Sequence, residues 1–163
     1  GIEDPWGVTD VTLRLDEEQA VVVSVAMDRD AVLLCPKCRS RCSRYDSRER
    51  RWRHLDTMQY RTILMADVPR VRGDEHGVIQ IAVPWSDPKS RFTALFEALV
   101  IDWLKEASFS AVARQLSLSW DQVAFFETLM HYHGKTKICL GEKRKIFVII
   151  NPDDLVFRWN NFI

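Results

Sequence analysis

Apolar side chains alternate with polar ones in the first half of the chain and recur every three or four residues in the second. The change falls at Pro84-Trp85-Ser86-Asp87-Pro88. Val8, Val11, Leu13 and Leu15 keep mostly in phase, and Ala20–Met27 is rich in Val. The polar run Asp16-Glu17-Glu18-Gln19 between them predicts a β-hairpin. Met58, Tyr60, Thr62, Leu64 and Ala66 alternate again as far as Val68, and Val78–Val83 reads as a short strand after His76-Gly77. Residues 1–84 are thus expected to form a small β-rich module. Large apolar residues are few there, a setting in which a metal can substitute for core.

Past the breaker cluster, the natural boundary, Phe92, Leu95, Phe96, Leu99, Val100, Trp103 and Leu104 form one helical stripe. Ser108 and Ser110 can cap a second helix through Leu116. Ser119 can cap a third, which begins at Trp120 and runs through Val123, Phe126 and Met130 to a stop near Gly134. Residues 135–163 change character again, with Lys143-Arg144-Lys145, then expected strands at Ile146–Ile150 and Leu155–Trp159. The predicted class is α+β: a β-rich module (1–84), a three-helix domain (85–134) and a short tail (135–163).

Composition adds a charge asymmetry. The 163 residues carry no net charge, and 47% are hydrophobic, enough for a packed core. Between Lys37 and Arg72, however, eleven Lys or Arg face four Asp or Glu, a local charge of +7, balanced by acids near the N-terminus. Such a patch suits a polyanion. No run of about 18 apolar residues suggests a membrane span, and no basic-then-apolar leader marks the chain for export, so a cytoplasmic location is expected. The missing initial Met suggests a start inside a longer reading frame.

Three of the four cysteines crowd into Cys35–Cys42, whereas Cys139 lies far away and reads as a lone core thiol. Metal-binding thiols fit this spacing better than disulfides. Cys35-Pro36-Lys37-Cys38 places two sulfurs on one tight turn, where they can share a tetrahedral zinc. A second knuckle is expected at Val71–Gly77. His76 stands there as a ligand, but Gly73 occupies the position that would complete the set, and glycine cannot ligate. Zinc held by Cys35, Cys38, His76 and a substitute (Asp74, Cys42 or water), an empty site, and ordinary thiols all remain open. His54 in its Arg-rich run reads as a backbone or phosphate partner, and His131 and His133 as helix-end dipole partners rather than ligands.

The second and third helices, joined by Ser117-Leu118-Ser119, have the pattern of a helix-turn-helix: small Ala113 at the crossing, small Ser117 at the turn, and Val112, Leu116, Leu118, Val123 and Phe126 as buried positions. A plain three-helix bundle has similar spacing. As a helix-turn-helix, the third helix would present Ser119, Trp120, Asp121, Gln122 and Phe125 to bases, with Arg114 near phosphates. Gln122 can read adenine edges. Few of these residues are basic, so Arg50, Arg51 and Arg53 in the cationic run are expected to supply phosphate contacts.

Cys35-Pro36-Lys37-Cys38, Arg51-Trp52-Arg53-His54-Leu55-Asp56, Val68-Pro69-Arg70-Val71-Arg72 and His76-Gly77 together resemble the N-terminal part of bacterial insertion-sequence transposases of the ISL-three family. The resemblance continues through Pro84-Trp85 and fades after about Val123. It implies a zinc-binding module, a helix-turn-helix that recognises terminal inverted repeats in double-stranded DNA, and a downstream RNase H-like domain whose acidic residues hold Mg²⁺. The family would place a cysteine at Gly73, so zinc is expected to be weakened or lost. Asp153-Asp154 lacks the context of the family's catalytic carboxylates. The expectation is therefore a DNA-binding transposase fragment, truncated before its catalytic domain, with a second copy of the chain as a candidate partner. The alternatives are a transposition enzyme completed by another frame or chain, and a protein-interaction module that does not bind DNA.

Overall fold

A computed structural model of the chain describes residues 2–16 and 18–134, the last four as backbone. Five strands precede three helices: β1 (Trp6–Arg14), β2 (Ala20–Met27), β3 (Ser43–Thr57), β4 (Tyr60–Gly73), β5 (Gly77–Gln80), α1 (Ala94–Glu106), α2 (Phe109–Gln115) and α3 (Trp120–Gly134). The sheet order is β1-β2-β4-β3, with β5 also on β4. β1 and β2 form the expected antiparallel hairpin. β2 then lies parallel to β4, so the intervening chain must cross over, and that crossover carries the cysteine knuckle and β3.

β3 is the element that the sequence did not announce. Its fifteen residues, SRYDSRERRWRHLDT, contain one fully buried side chain, Trp52 (1% exposed). It pairs antiparallel with β4 from Ser43↔Arg72 to Thr57↔Tyr60. The connecting two-residue turn holds Met58 at φ 55°. With β2 and β5 along the other edge of β4, β3 stands at the edge of the sheet. Its arginines, with Asp46, Glu49 and Asp56, keep an unpaired backbone from recruiting another strand.

The sheet's core is better supplied than the sequence suggested. Trp6, Val25, Leu33, Trp52, Leu64, Ala66, Val68, Val71, Ile81, Val83 and Trp85 form one buried cluster. Its centre is a row of three tryptophans in edge-to-face contact, with Trp85 5.0 Å from Trp6 and 5.4 Å from Trp52 between ring centroids. Such pairs add about 0.5–1.5 kcal/mol each beyond area burial. Trp85 belongs to the breaker cluster expected to separate two domains, and that segment is packed rather than free. Ala94 N–H donates to Trp85 O at 2.8 Å, and Ser86 Oγ donates to Phe92 O at 2.8 Å. Gly1–Glu127 forms one compact unit, and a second begins at Thr128.

Phe92 bridges to Arg53 at the outer edge of β3, and this docking aims α1. Thr93 caps α1 by accepting from Phe96 N–H, with Glu97 in the first turn and Lys105 in the last. Phe92, Phe96, Val100, Val112, Leu116, Val123 and Phe126 are all buried. Phe92 stacks on Phe96 (5.6 Å) and meets Phe126 (4.7 Å), tying α1 to the start of α3. The expected strands at 146–150 and 155–159, Cys139 and the imidazoles of His131 and His133 lie outside the described residues.

Candidate metal centre and nucleic-acid interface

The knuckle is a tight hairpin built by its own backbone. Cys42 N–H donates to Leu33 O (3.0 Å), Cys35 N–H to Ser40 O (2.9 Å), and Arg39 N–H to Cys35 O (2.9 Å). The return requires a left-handed residue, and Arg39 takes it at φ 61°. This folds the Cys35 and Cys38 sulfurs onto one side. His76 reaches them from the turn between β4 and β5, where Gly73 pairs with Gly77 and Gly77 takes φ +66°.

One ligand atom from each of Cys35, Cys38 and His76 lies within 4.8 Å of the others, and Cys35 Sγ is 3.8 Å from His76 Nδ1. A zinc tetrahedron with Zn–S near 2.3 Å and Zn–N near 2.05 Å has edges of roughly 3.5–3.8 Å. These residues fit zinc. Cys35 is buried, Cys38 exposed and His76 half-buried, so the group sits at the rim of the sheet rather than inside it. The Cys38 thiol is pulled down to about 6, chiefly by the Ser40 hydroxyl, then by the Ser40 backbone and Cys35, with desolvation opposing and His76 adding least. Ser40 Oγ lies 3.0 Å from Cys38 Sγ. Sequence reasoning passed over Ser40; its position two residues past Cys38, inside the hairpin return, was the available signal.

The cationic run divides into struts and free charges. Arg53 is not a free phosphate ligand. Its side chain is 10% exposed, ion-paired to Asp56, and lies 5.0 Å over the Phe96 ring. Arg50 is half-buried, sits 5.5 Å over Trp52, and donates to Gln80 Oε1 and Ser90 O at 3.4 Å. Arg51 is exposed but bonded to both oxygens of Glu18 at 2.8 and 3.0 Å. Arg70 pairs with Asp46 through its Nε at 2.6 Å, which holds the carboxyl below and the guanidinium above their ordinary values. By contrast Lys37, Arg39, Arg41, Arg44 and Arg48 are exposed and make no ion pair among the described residues. His54 is no metal ligand: Nδ1 sits 2.8 Å from Thr93 Oγ1, and burial together with the Arg53 charge pushes its pKa down.

The turn between α2 and α3 is built with two linked end motifs. Leu118 N–H donates to Ala113 O (2.9 Å) and Ser117 N–H to Arg114 O (3.4 Å), with Ser117 left-handed at φ 52°. That is a Schellman close, with serine in the place usually given to glycine. One residue on, Gln122 N–H donates to Ser119 Oγ (3.2 Å) and Ser119 N–H to Gln122 Oε1 (2.8 Å), a reciprocal capping box. Ser119 and Gln122 are thus engaged by the start of their own helix. Trp120, 61% exposed and stacked on Phe109, projects outward with Asp121 and Arg114.

Two comparisons bear on this arrangement. Residues 32–76, which end on His76, match the family model of the zinc-finger of transposase IS204/IS1001/IS1096/IS1165. Residues 81–124, from the residue just after β5 through the first turn of α3, match that of the helix-turn-helix domain of transposase family ISL3. Residues 32–124 are the N-terminal region of an ISL3-family transposase. No curated protein and no solved structure matches the chain. The transposase region joins a zinc-finger module to a DNA-binding helix-turn-helix, and no described helix is long and apolar enough to cross a membrane. In the ISL3 region zinc, when bound by Cys35, Cys38 and His76, would cross-link the knuckle to the β4–β5 turn.

Proposed function

We propose that this chain recognises the terminal inverted repeats of an insertion element as double-stranded DNA, and that strand cleavage and transfer fall to catalytic residues outside the described part. The carrying observation is the adjacency of the two matched segments, with the zinc-finger match ending at His76 and the helix-turn-helix match beginning at Ile81. In this reading Lys37, Arg39, Arg41, Arg44 and Arg48 neutralise backbone phosphates and Arg114 adds one contact, whereas Trp120 and Asp121 meet base edges. Gln122 reads a base only if its bond to Ser119 N–H opens. α3 contains no Lys or Arg, so charge-driven affinity has to come from elsewhere, and the knuckle and β3 are where exposed cations are concentrated.

The test compares a duplex carrying the element ends with a scrambled duplex of equal length. The reading predicts tighter binding to the ends, with Trp120→Ala and Asp121→Ala shrinking the ratio. Equal affinity for both duplexes would contradict end recognition. A second copy of the chain is also proposed as a partner, because Val8, Val11, Leu13 and Leu15 are 48–65% exposed along and just after β1. Light scattering that gives a monomer mass at working concentration would remove that part.

A further inference from the structure

Three ligands leave a zinc tetrahedron one short. An unused thiol close by is Cys42. The β3–β4 ladder begins with Ser43 opposite Arg72, so the next rung sets Cys42 across from Gly73, at the base of the turn that carries His76. A Cβ added at Gly73 would stand 3.2 Å from Cys42 Sγ. The thiol of Cys42 therefore fills the space that a side chain at position 73 would enter. On its other side, Ser40 Oγ lies 4.0 Å from Cys42 Sγ and 3.0 Å from Cys38 Sγ, so one hydroxyl separates the two sulfurs. The Cys42 backbone is fixed by its bond to Leu33 O, leaving χ1 as the free variable.

We propose that Cys42 is the fourth ligand of this centre, which closes as Cys35, Cys38, Cys42 and His76. The proposal rests on the zinc reading of the first three residues. Cys42 lies outside their 4.8 Å group, so its ligation requires the sulfur to move, and χ1 is the torsion that can move it. The rival donors are poorer. Glu75 Oε2 is 3.8 Å from His76 Nδ1, but its side chain is 77% exposed in the turn. Cys42 is half-buried and soft, the donor type that selects zinc. Gly73 leaves room for this thiol beside the turn, since a Cβ there would stand 3.2 Å from the Cys42 sulfur in its present position.

The test loads the full chain with Co²⁺, whose sulfur-to-metal charge-transfer absorption scales with the number of bound thiolates. Cys42→Ala should lower that intensity by about one third, from three thiolates to two. The double variant Cys42→Ala with Gly73→Cys should restore it, since the new thiol then occupies the vacated space. A Cys42 that merely packs against the core would change thermal stability and leave the charge-transfer band untouched. An unchanged band in a folded Cys42→Ala protein, judged by circular dichroism, overturns the assignment of Cys42 alone. Failure of the wild-type chain to take up Co²⁺ or Zn²⁺ overturns the metal centre and this assignment together.

Discussion

Single side chains in the basic run have opposite jobs, and two can be separated by measurement. Arg53 holds Asp56 and covers Phe96 where the sheet meets α1. Arg44 is exposed on the same strand with no described ion pair. Arg53→Ala should lower unfolding free energy in urea by about 2 kcal/mol through lost packing and hydrogen bonding. Arg44→Ala should stay within about 0.5 kcal/mol and weaken DNA binding instead. Equal effects of the two on stability would erase the distinction.

His54 makes a pH prediction at the same scale. Its pKa in the fold lies below the ordinary 6.5, because burial and Arg53 disfavour the imidazolium. On acidification the unfolded chain takes up the proton first. His54 therefore favours the fold in full at pH well above 6.5, and that contribution declines as pH falls through 6.5 until the folded imidazole protonates as well. Urea midpoints of wild type and His54→Gln, compared between about pH 7.5 and pH 5.5, should diverge, the variant losing less on acidification. Parallel losses would show that His54 does not titrate as described.

At the scale of elements, the α2–α3 turn joins a serine-based Schellman close to a capping box, and both can be tuned. Ser117 holds φ 52°, a conformation that costs a residue with a Cβ roughly 1–2 kcal/mol. Part of that is offset by the greater freedom of glycine in the unfolded chain. Ser117→Gly is expected to raise stability by about 0.5–1 kcal/mol, and Ser119→Ala to lower it by about 1 kcal/mol. Thermal unfolding of both variants checks the pair, and a destabilised Ser117→Gly would contradict the geometry of the turn. Helix positions were legible because each carries apolar residues at helical spacing and a hydroxyl residue just before its start, although Ser108 makes no side-chain capping bond to α2 and Ser110 lies inside that helix. β3 was not, because a charged edge strand has one core side chain, Trp52, and no alternation to read. The β3–β4 turn gave no signal either: Met58 takes the left-handed position without the Asn-Gly or Asp-Gly that normally marks it.

For the whole molecule, the order of modules, the β-hairpin, the three helices and the Cys35–Cys38–His76 group could be read from spacing alone. What spacing could not show was pairing in space. Trp85 sits in a Pro-flanked cluster that resembles a linker, yet it packs between Trp6 and Trp52 and makes the sheet and α1 parts of one compact unit. Likewise Glu18, far from the basic run in sequence, takes Arg51, and Asp46 takes Arg70. The cationic surface left over is narrower than the local charge of +7 implied, and it centres on the knuckle and the first half of β3. That surface makes the central claim measurable through the salt dependence of affinity for duplex DNA. The logarithm of the binding constant should fall linearly with the logarithm of salt concentration, by about 0.9 for each phosphate neutralised. Arg41→Ala, Arg44→Ala and Arg48→Ala should each reduce that slope by about one. A flat salt response, or a slope unmoved by all three substitutions, would contradict the account of this chain as a DNA-binding module built on the knuckle and β3.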